Sequence, residues 1–183
     1  VLAEKLGVPV IRRAVLLAAI LQRRRAVCVA GMHGKTGTSA LLAHTLDALG
    51  AQPGYAIGAI VPQLGRHARL GPAPGSYLVA ETDESDGTLR EFFPEQSIVL
   101  NIDEEHLDFY ANFEAVCDEF STFAEQTSGT LFFCADDSRL AALYGGRAGA
   151  VTFGFNPAAE YRAEVQPDGG FEIWRMENRL GVF

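Results

Sequence analysis

A glycine-rich segment that ends in lysine and threonine is the part of the sequence best suited to bind phosphate. This glycine segment consists of Gly31, Met32, His33, Gly34, Lys35, Thr36 and Gly37. Glycines let backbone N–H groups turn toward phosphate oxygens, and a following helix N-terminus adds partial positive charge. Lys35 could reach β- and γ-phosphates, and the Thr36 hydroxyl could bind Mg²⁺. Because Val29 occupies the first glycine position of the strict G-x-x-x-x-G-K-[ST] pattern, a glycine turn with an incidental lysine stays an alternative.

A second segment, Glu81–Gly87, holds four carboxylates within six residues. Closely spaced carboxylates repel one another unless a cation lies nearby, and Mg²⁺ is usually bound through one or two carboxylates. This acidic segment directly follows a short apolar run, which predicts a position at the end of a strand. The segment permits two interpretations. It is either a site for Mg²⁺ and nucleotide or a solvated acidic turn.

A third segment, Asn101–Asp108, surrounds His106 with four acidic residues. The imidazole in this histidine segment could bind a second metal ion, carry a proton or serve a structural role. His33 in the glycine segment could orient its own loop or approach a substrate. The spacing of the residues does not by itself assign a role to His33 or to His106.

Short apolar runs alternate with helical patterns along the chain and position the three segments. Strands are predicted over Ala26–Ala30, Tyr55–Ile60, Tyr77–Ala80, Ser97–Ile102, Thr130–Ala135 and Gly149–Phe155. Helices are predicted over Arg12–Arg23, Thr38–Leu49, Phe113–Glu125 and Asp136–Leu143. Continuous apolar strands predict an α/β fold with a mostly parallel sheet and helices on both faces, of the P-loop mononucleotide-binding type. Ligands bind such sheets at the carboxyl ends of strands, where all three segments should meet.

Three regions carry weaker patterns. Pro62–Gly75 contains glycine and proline and is predicted to be a loop. Tyr161–Val165 and Phe171–Arg175 flank a Pro-Asp-Gly-Gly turn and predict a C-terminal β-hairpin. Val1–Val10 has no clear element and is interpreted as the tail of an upstream unit.

The composition is that of a globular domain, with 48% hydrophobic and 21% charged residues among 183. The net charge of −8 argues against a nucleic-acid partner. No apolar run approaches the ~20 residues of a membrane span, so no membrane partner is expected. Three separated cysteines without CxxC spacing predict free thiols in a reducing, cytoplasmic compartment.

The three segments together resemble the Mur ligase family. The family pattern G-[TS]-[HN]-G-K-T-T is matched from Gly31 to Thr38, and its histidine favours the branch that adds L-alanine or the branch that recycles murein peptides. The alanine branch also has the pattern E-A-D-E-S-D-G-[ST]-[FL], matched by Glu81–Leu89, whereas the recycling branch has tyrosine where Ser85 stands. The pattern N-[IV]-E-x-D-H-L-D-x-Y is matched by Asn101–Tyr110.

The resemblance implies an ATP-dependent ligase with Mg²⁺ as cofactor and Lys35, Glu81 and His106 as catalytic residues. Lys35 would hold the β- and γ-phosphates, Thr36 and Glu81 would bind one Mg²⁺, and His106 would bind a second. The implied reaction joins L-alanine to UDP-N-acetylmuramate through an acyl phosphate, for peptidoglycan synthesis. Residues 1–24 would lead in from a UDP-sugar domain, and residues 25–183 would form an ATP-binding domain incomplete at its C-terminal end. The isolated chain is expected to be inactive.

Three positions depart from the family patterns. Met32 and Gly37 replace threonines, and Glu105 replaces an aspartate. A recycling ligase, another Mur-type ligase and a nucleotide-binding module without chemistry are the alternative functions. The sequence indicates no oligomeric state.

Overall fold

The computed structural model describes residues 2–106 and 108–183, and ten strands of this part of the chain form one sheet. Val1, predicted to belong to an N-terminal tail, and Leu107, part of the histidine segment, lie outside the described residues. The strands are β1 (Arg25–Ala30), β2 (Gly54–Val61), β3 (Arg66–Arg69), β4 (Tyr77–Glu81), β5 (Gln96–Val99), β6 (Leu131–Cys134), β7 (Val151–Gly154), β8 (Tyr161–Val165), β9 (Phe171–Arg175) and β10 (Asn178–Val182). The helices are α1 (Leu2–Lys5), α2 (Arg13–Leu21), α3 (Lys35–Ala48), α4 (Phe113–Glu125) and α5 (Ser138–Tyr144), with a 3₁₀ turn at Leu89–Glu91.

The strand order is β10-β9-β8-β7-β6-β5-β1-β4-β2-β3. Neighbours from β2 through β8 in this order pair in parallel, whereas β3, β9 and β10 pair antiparallel. The predicted α/β fold with a mostly parallel sheet is therefore confirmed. β1 lies between β4 and β5. The strands β2–β4 are added on one side of β1, and the strands from β5 onward are added on its other side. Such a reversal is where open α/β sheets bind ligands.

The two faces of the sheet are covered unequally. On the first, called the closed face, α2, α4 and α5 bury a large core that includes Cys28, Val99, Val116, Phe120 and Phe133. On the second, called the α3 face, a smaller core lies beneath α3 and includes Val27, Ala43, Tyr55 and Val79. Helices cover both faces, and α3 packs mainly on β1, β2 and β4. Beyond α3, two cavities of about 340 and 450 Å³ share Ile98 and Phe132 as lining residues.

An ion pair between the buried Glu119 and the partly exposed Arg90 joins α4 to the 3₁₀ turn on the closed face. Glu119 is 1% exposed and accepts hydrogen bonds from the Arg90 backbone N–H at 3.0 Å and from its Nε at 2.7 Å. The second guanidinium nitrogen of Arg90 also bonds this carboxylate. Since removal of water from a carboxylate is costly unless its oxygens are bonded, this pair holds the middle of α4 against the 3₁₀ turn.

Two differences between the predicted and the observed elements have an identifiable physical cause. Pro62–Gly75 is not wholly a loop, because Arg66–Arg69 forms β3 against β2. This exposed edge strand has no apolar run in its sequence. The helix predicted to start at Thr38 begins at Lys35, because Gly34 adopts φ +86° and ends the preceding loop there.

Other predicted elements are present, several of them with ends shifted by one to three residues, and some elements were not anticipated. The helix Phe113–Glu125 and the strands β8 and β9 begin and end where the patterns indicate. The strand β10 and the short helix α1, which lies inside the predicted N-terminal tail, were not predicted. Within residues 2–106 and 108–183, no helix has the length and apolarity that a bilayer crossing requires. The division of the chain at residue 24 stays a prediction.

Candidate functional site

The glycine, acidic and histidine segments follow β1, β4 and β5, three strands that lie side by side. Because these strands are parallel, their carboxyl ends share one edge of the sheet. Side chains of the three segments bond one another there. The sequence-based expectation that they would meet is confirmed.

The glycine segment is held open by its backbone and by Asn101. Gly31 has φ +134°, and a Cβ on it would lie 3.1 Å from the Asn101 backbone nitrogen. The Asn101 side chain accepts a hydrogen bond from the His33 N–H at 2.8 Å and donates one to the His33 carbonyl at 3.0 Å. Met32 is 7% exposed and belongs to the core of the closed face, which accounts for an apolar side chain at this position. The loop is therefore shaped before any ligand binds.

Lys35 begins α3 and has its ammonium group fully bonded. Its Nζ donates to the Gly31 carbonyl at 2.6 Å and to the two carboxylate oxygens of Glu84 at 2.8 and 2.9 Å. The side chain of Glu84 is 1% exposed and that of Lys35 is 14% exposed. Burial raises the pKa of the Glu84 carboxyl group, and the hydrogen bond from Lys35 opposes that increase. The positive charge at the mouth of the loop is thus balanced by a buried carboxylate.

Thr36 and Glu81 form a second pair of polar groups beside Lys35. The Thr36 hydroxyl donates to Glu81 Oε1 at 2.9 Å, and the Gly58 N–H donates to Glu81 Oε2 at 2.7 Å. A cavity of about 370 Å³ opens here, lined by Lys35, Gly58 and Glu81 together with Arg13. A hydroxyl and a carboxylate at this distance suit a hard cation such as Mg²⁺.

The metal would need further ligands from outside the protein. Among the described residues, no group of three or more His, Cys, Asp or Glu side chains is arranged to hold a metal ion. Mg²⁺ characteristically takes one or two carboxylates and completes its shell with water and substrate phosphates. Thr36 and Glu81 beside the glycine segment fit a site of that kind.

His106 meets Glu84 rather than the Thr36–Glu81 pair. Its Nε2 lies 3.5 Å from Glu84 Oε1, and its backbone has φ +58°, which is uncommon outside glycine. No contact of His106 with Thr36 or Glu81 is found in the described part of the chain. The other histidine of the site, His33, places Nε2 3.2 Å from Glu105 Oε1, so the longer acidic side chain at this position has a partner.

Two functional candidates were missed from the sequence, Glu84 and Asn101. The acidic segment has four carboxylates, and their spacing does not reveal that Glu84 alone among them is buried against Lys35. Tyr110 helps to fix it by donating a hydrogen bond to the Glu84 carbonyl. Asn101 stands directly after an apolar run, which is the signal that could have found it.

The glycine segment lies between two cavities. One is the cavity lined by Arg13, Lys35 and Glu81. The other, of about 320 Å³, is lined by His33, Asn101 and Arg139 among others.

Comparisons with known proteins agree with this geometry. A family model described as the Mur ligase middle domain matches residues 29–179. A UDP-N-acetylmuramate–L-alanine ligase from Rhodospirillum centenum is 42% identical over 180 residues, which cover 94% of this chain and 37% of that protein. Across the curated relatives compared, the chain spans 34% to 40% of their length.

Two solved structures have the same fold over nearly the whole chain. The UDP-N-acetylmuramate–alanine ligase from Thermotoga maritima is 26% identical with a TM-score of 0.81, covering 99% of this chain and 42% of that one. The UDP-N-acetylmuramate:L-alanyl-γ-D-glutamyl-meso-diaminopimelate ligase from Neisseria meningitides is 24% identical with a TM-score of 0.86, covering 99% of this chain and 61% of that one. The second likeness shows the fold alone.

Proposed function

The chain belongs to the Mur ligase family, and on that premise we propose that it is the ATP-binding part of a ligase that joins L-alanine to UDP-N-acetylmuramate. The observation that carries the proposal is the convergence of Lys35, Thr36 and Glu81 at the ends of adjacent parallel strands. Family members named as ligases support an ATP-dependent ligase of peptidoglycan synthesis. The proposed alanine specificity is supported by the 42% identity with an alanine ligase and by Ser85 in the acidic segment.

The proposed reaction has two steps. The lactyl carboxylate of UDP-N-acetylmuramate attacks the γ-phosphorus of ATP, which forms an acyl phosphate and releases ADP. The amine of L-alanine then attacks the acyl carbon, so that an amide bond forms, phosphate leaves and the amine loses a proton. Phosphoryl transfer requires positioning and charge stabilisation more than covalent help from the protein. The site has the groups for both.

Each residue of the site has a proposed role. The backbone N–H groups of Gly31–Gly34 and the N-terminus of α3 would surround the β-phosphate, and Lys35 would bind the β- and γ-phosphates. Thr36 and Glu81 would hold Mg²⁺, which when bound neutralises charge shared between the β- and γ-phosphates. His106 would be the ligand of a second Mg²⁺, since its ring lies at the same edge of the sheet.

A thermal-shift experiment tests the nucleotide site. Mg-ATP at about 100 times its dissociation constant should add roughly 2.7 kcal/mol of stability. For a chain of this size, the melting temperature should then rise by about 5–10 °C. Lys35→Ala should lose most of the rise, and Lys5→Ala, which removes the other lysine from an exposed position, should keep it. Equal shifts in all three proteins would exclude this phosphate site.

A second experiment tests the metal ligands. ATP affinity is measured with Mg²⁺ and with EDTA, and the ratio reports the contribution of the metal. Glu81→Ala should reduce that ratio far more than Asp86→Ala, because the Asp86 carboxylate accepts a bond from Thr88 and not from Thr36. Similar losses in both variants would indicate a diffuse acidic field without a specific ligand.

A third experiment addresses the reaction itself. The isolated chain should bind ATP without forming UDP-N-acetylmuramoyl-L-alanine, because the acceptor carboxylate must be held about 3–3.5 Å from the phosphorus it attacks. The chain spans no more than 40% of the curated relatives compared, and the proposal assigns acceptor and amino-acid binding to the rest. Product above a no-enzyme control would overturn this assignment.

A further inference from the structure

Glu84 connects all three segments of the site through one buried carboxyl group. Both of its oxygens accept from Lys35 Nζ, at 2.8 and 2.9 Å. Oε1 also lies 3.5 Å from the Nε2 of His106. The backbone carbonyl of Glu84 accepts from the Tyr110 hydroxyl, which holds the residue in place. With 1% of its surface exposed, this carboxylate has almost no access to water and depends on those partners.

The bonds of Lys35 leave no free donor for a ligand. An ammonium group has three donors. The Gly31 carbonyl and the two Glu84 oxygens lie within 2.9 Å of the Lys35 nitrogen and can take all three. A phosphate oxygen can therefore bind Lys35 directly only if a present partner gives way. The chemical similarity between a carboxylate and a phosphate, both anionic groups with two oxygens available, makes Glu84 the partner that is replaced.

We propose that Glu84 is a positioning residue that occupies Lys35 in the nucleotide-free chain and transfers to His106 when phosphate takes its place. The inference depends on the proposed function, because it requires that Lys35 bind nucleotide phosphate. A buried carboxylate released from Lys35 must find another donor, since an unpaired buried charge is costly. The Nε2 of His106 lies within a small side-chain movement of Glu84. Binding of phosphate at the glycine segment is thereby linked to the orientation of the His106 ring.

The proposal predicts a tighter complex when Glu84 loses its charge. In Glu84→Gln the nucleotide no longer competes with a carboxylate for Lys35, so ATP affinity measured by calorimetry in EDTA should rise roughly tenfold, as expected for loss of a close charge pair. The nucleotide-free variant should also melt at a lower temperature, because Lys35 has lost its counter-charge. A purely structural role would lower that melting temperature without any gain in affinity.

Asp83→Asn is the matched control. It removes one negative charge from the neighbouring residue, whose carboxylate accepts from the Ser85 N–H and has no hydrogen bond with Lys35. Its affinity for ATP should change by less than about twofold, because a partly screened charge acts weakly. If both variants tighten equally, or if Glu84→Gln binds ATP no better than the native chain, the proposal is wrong.

The second half of the proposal is tested on His106 itself. Its imidazole nitrogen resonances, identified by their loss in His106→Gln, should move when ATP binds the native chain in EDTA and should stay in place in Glu84→Gln. Equal movement in both proteins would overturn the transfer to His106. EDTA excludes a direct effect of metal on the ring.

Two further variants make the outcomes distinguishable. Glu84→Asp keeps the charge but shortens the side chain, and it should also bind ATP more tightly than the native chain. It replaces Glu84→Gln in the test if that variant does not fold, and an unchanged affinity of Glu84→Asp for ATP then overturns the proposal. Lys35→Ala tests the premise separately. If the native chain and Lys35→Ala bind ATP equally, the proposed function fails, whereas loss of binding in Lys35→Ala without tightening in Glu84→Gln overturns the role of Glu84 alone.

Discussion

Two neighbouring phenylalanines of β6 lie in different environments. Phe133 faces the closed face, is 2% exposed and packs its ring 5.6 Å from that of Tyr144. Phe132 faces the other way and lines both cavities beyond α3. Successive residues of a strand point to opposite faces of the sheet. The different burial of the two phenylalanines therefore reflects how each face is covered. The closed face supplies most of the packing, and the α3 face beyond β1 leaves apolar side chains with few neighbours.

The largest expected effect is a difference in protein stability between variants of Phe133 and of Phe132. Phe133→Ala should lower the free energy of unfolding by about 3–5 kcal/mol, because it leaves a cavity in a closed core. Phe132→Ala should cost about 1 kcal/mol or less, because its surroundings are already open. Urea unfolding of both variants measures the difference. Equal losses would show that the two faces are packed to the same degree.

The ion pair of the buried Glu119 on the closed face should contribute more to stability than the pair of an exposed glutamate in β8. Glu119→Gln should cost about 1–3 kcal/mol, because Arg90 loses its charged partner and a bond to the buried group is weakened. Glu164→Gln removes an exposed carboxylate that bonds Arg162 at 2.9 Å and should cost less than about 1 kcal/mol. The same urea experiment applies. A larger loss in Glu164→Gln would contradict the comparison.

The smallest effect concerns binding of an apolar dye to the native chain. The cavities that Phe132 lines should bind a dye such as anilinonaphthalene sulfonate, and Phe132→Asp should reduce its fluorescence about twofold. Leu41→Asp is the control, because Leu41 is 68% exposed as a single side chain outside these cavities. If the control variant lowers the fluorescence equally, the dye reports general surface apolarity.

Much of the sheet could be predicted because its strands are continuous apolar runs. The same runs identified where the three polar segments begin, and the amphipathic pattern of Phe113–Glu125 indicated the bounds of α4. The strands β3 and β10 could not be found this way. Their residues are mostly exposed, so pairing with a neighbour rather than burial makes them strands. Edge strands of this kind carry no periodic signal.

The site was predictable in its location but not in its internal bonding. Lys35, Thr36 and Glu81 were predicted as site residues because glycine, lysine and strand-end carboxylates have recognisable chemistry in sequence, and the structure brings their side chains to one edge of the sheet. Which carboxylate would meet Lys35 depends on how the acidic segment turns after β4, and this turn is fixed in part by a bond from Tyr110, 26 residues away. Bonds over that distance are not encoded in local spacing. Glu84 therefore emerged only from the structure.

The central position of β1 has a consequence for how the chain is made. Val27 pairs with Val79 on one side and Gln96 on the other. At ribosomal rates of about 5–20 residues per second, this apolar strand waits several seconds for its first parallel partner. Its second partner, β5, is made later, and it is followed by Asn101, which braces the glycine segment through His33. The glycine segment therefore cannot be braced before Asn101 has been synthesised, and β1 is an unpaired apolar strand until its first partner is made.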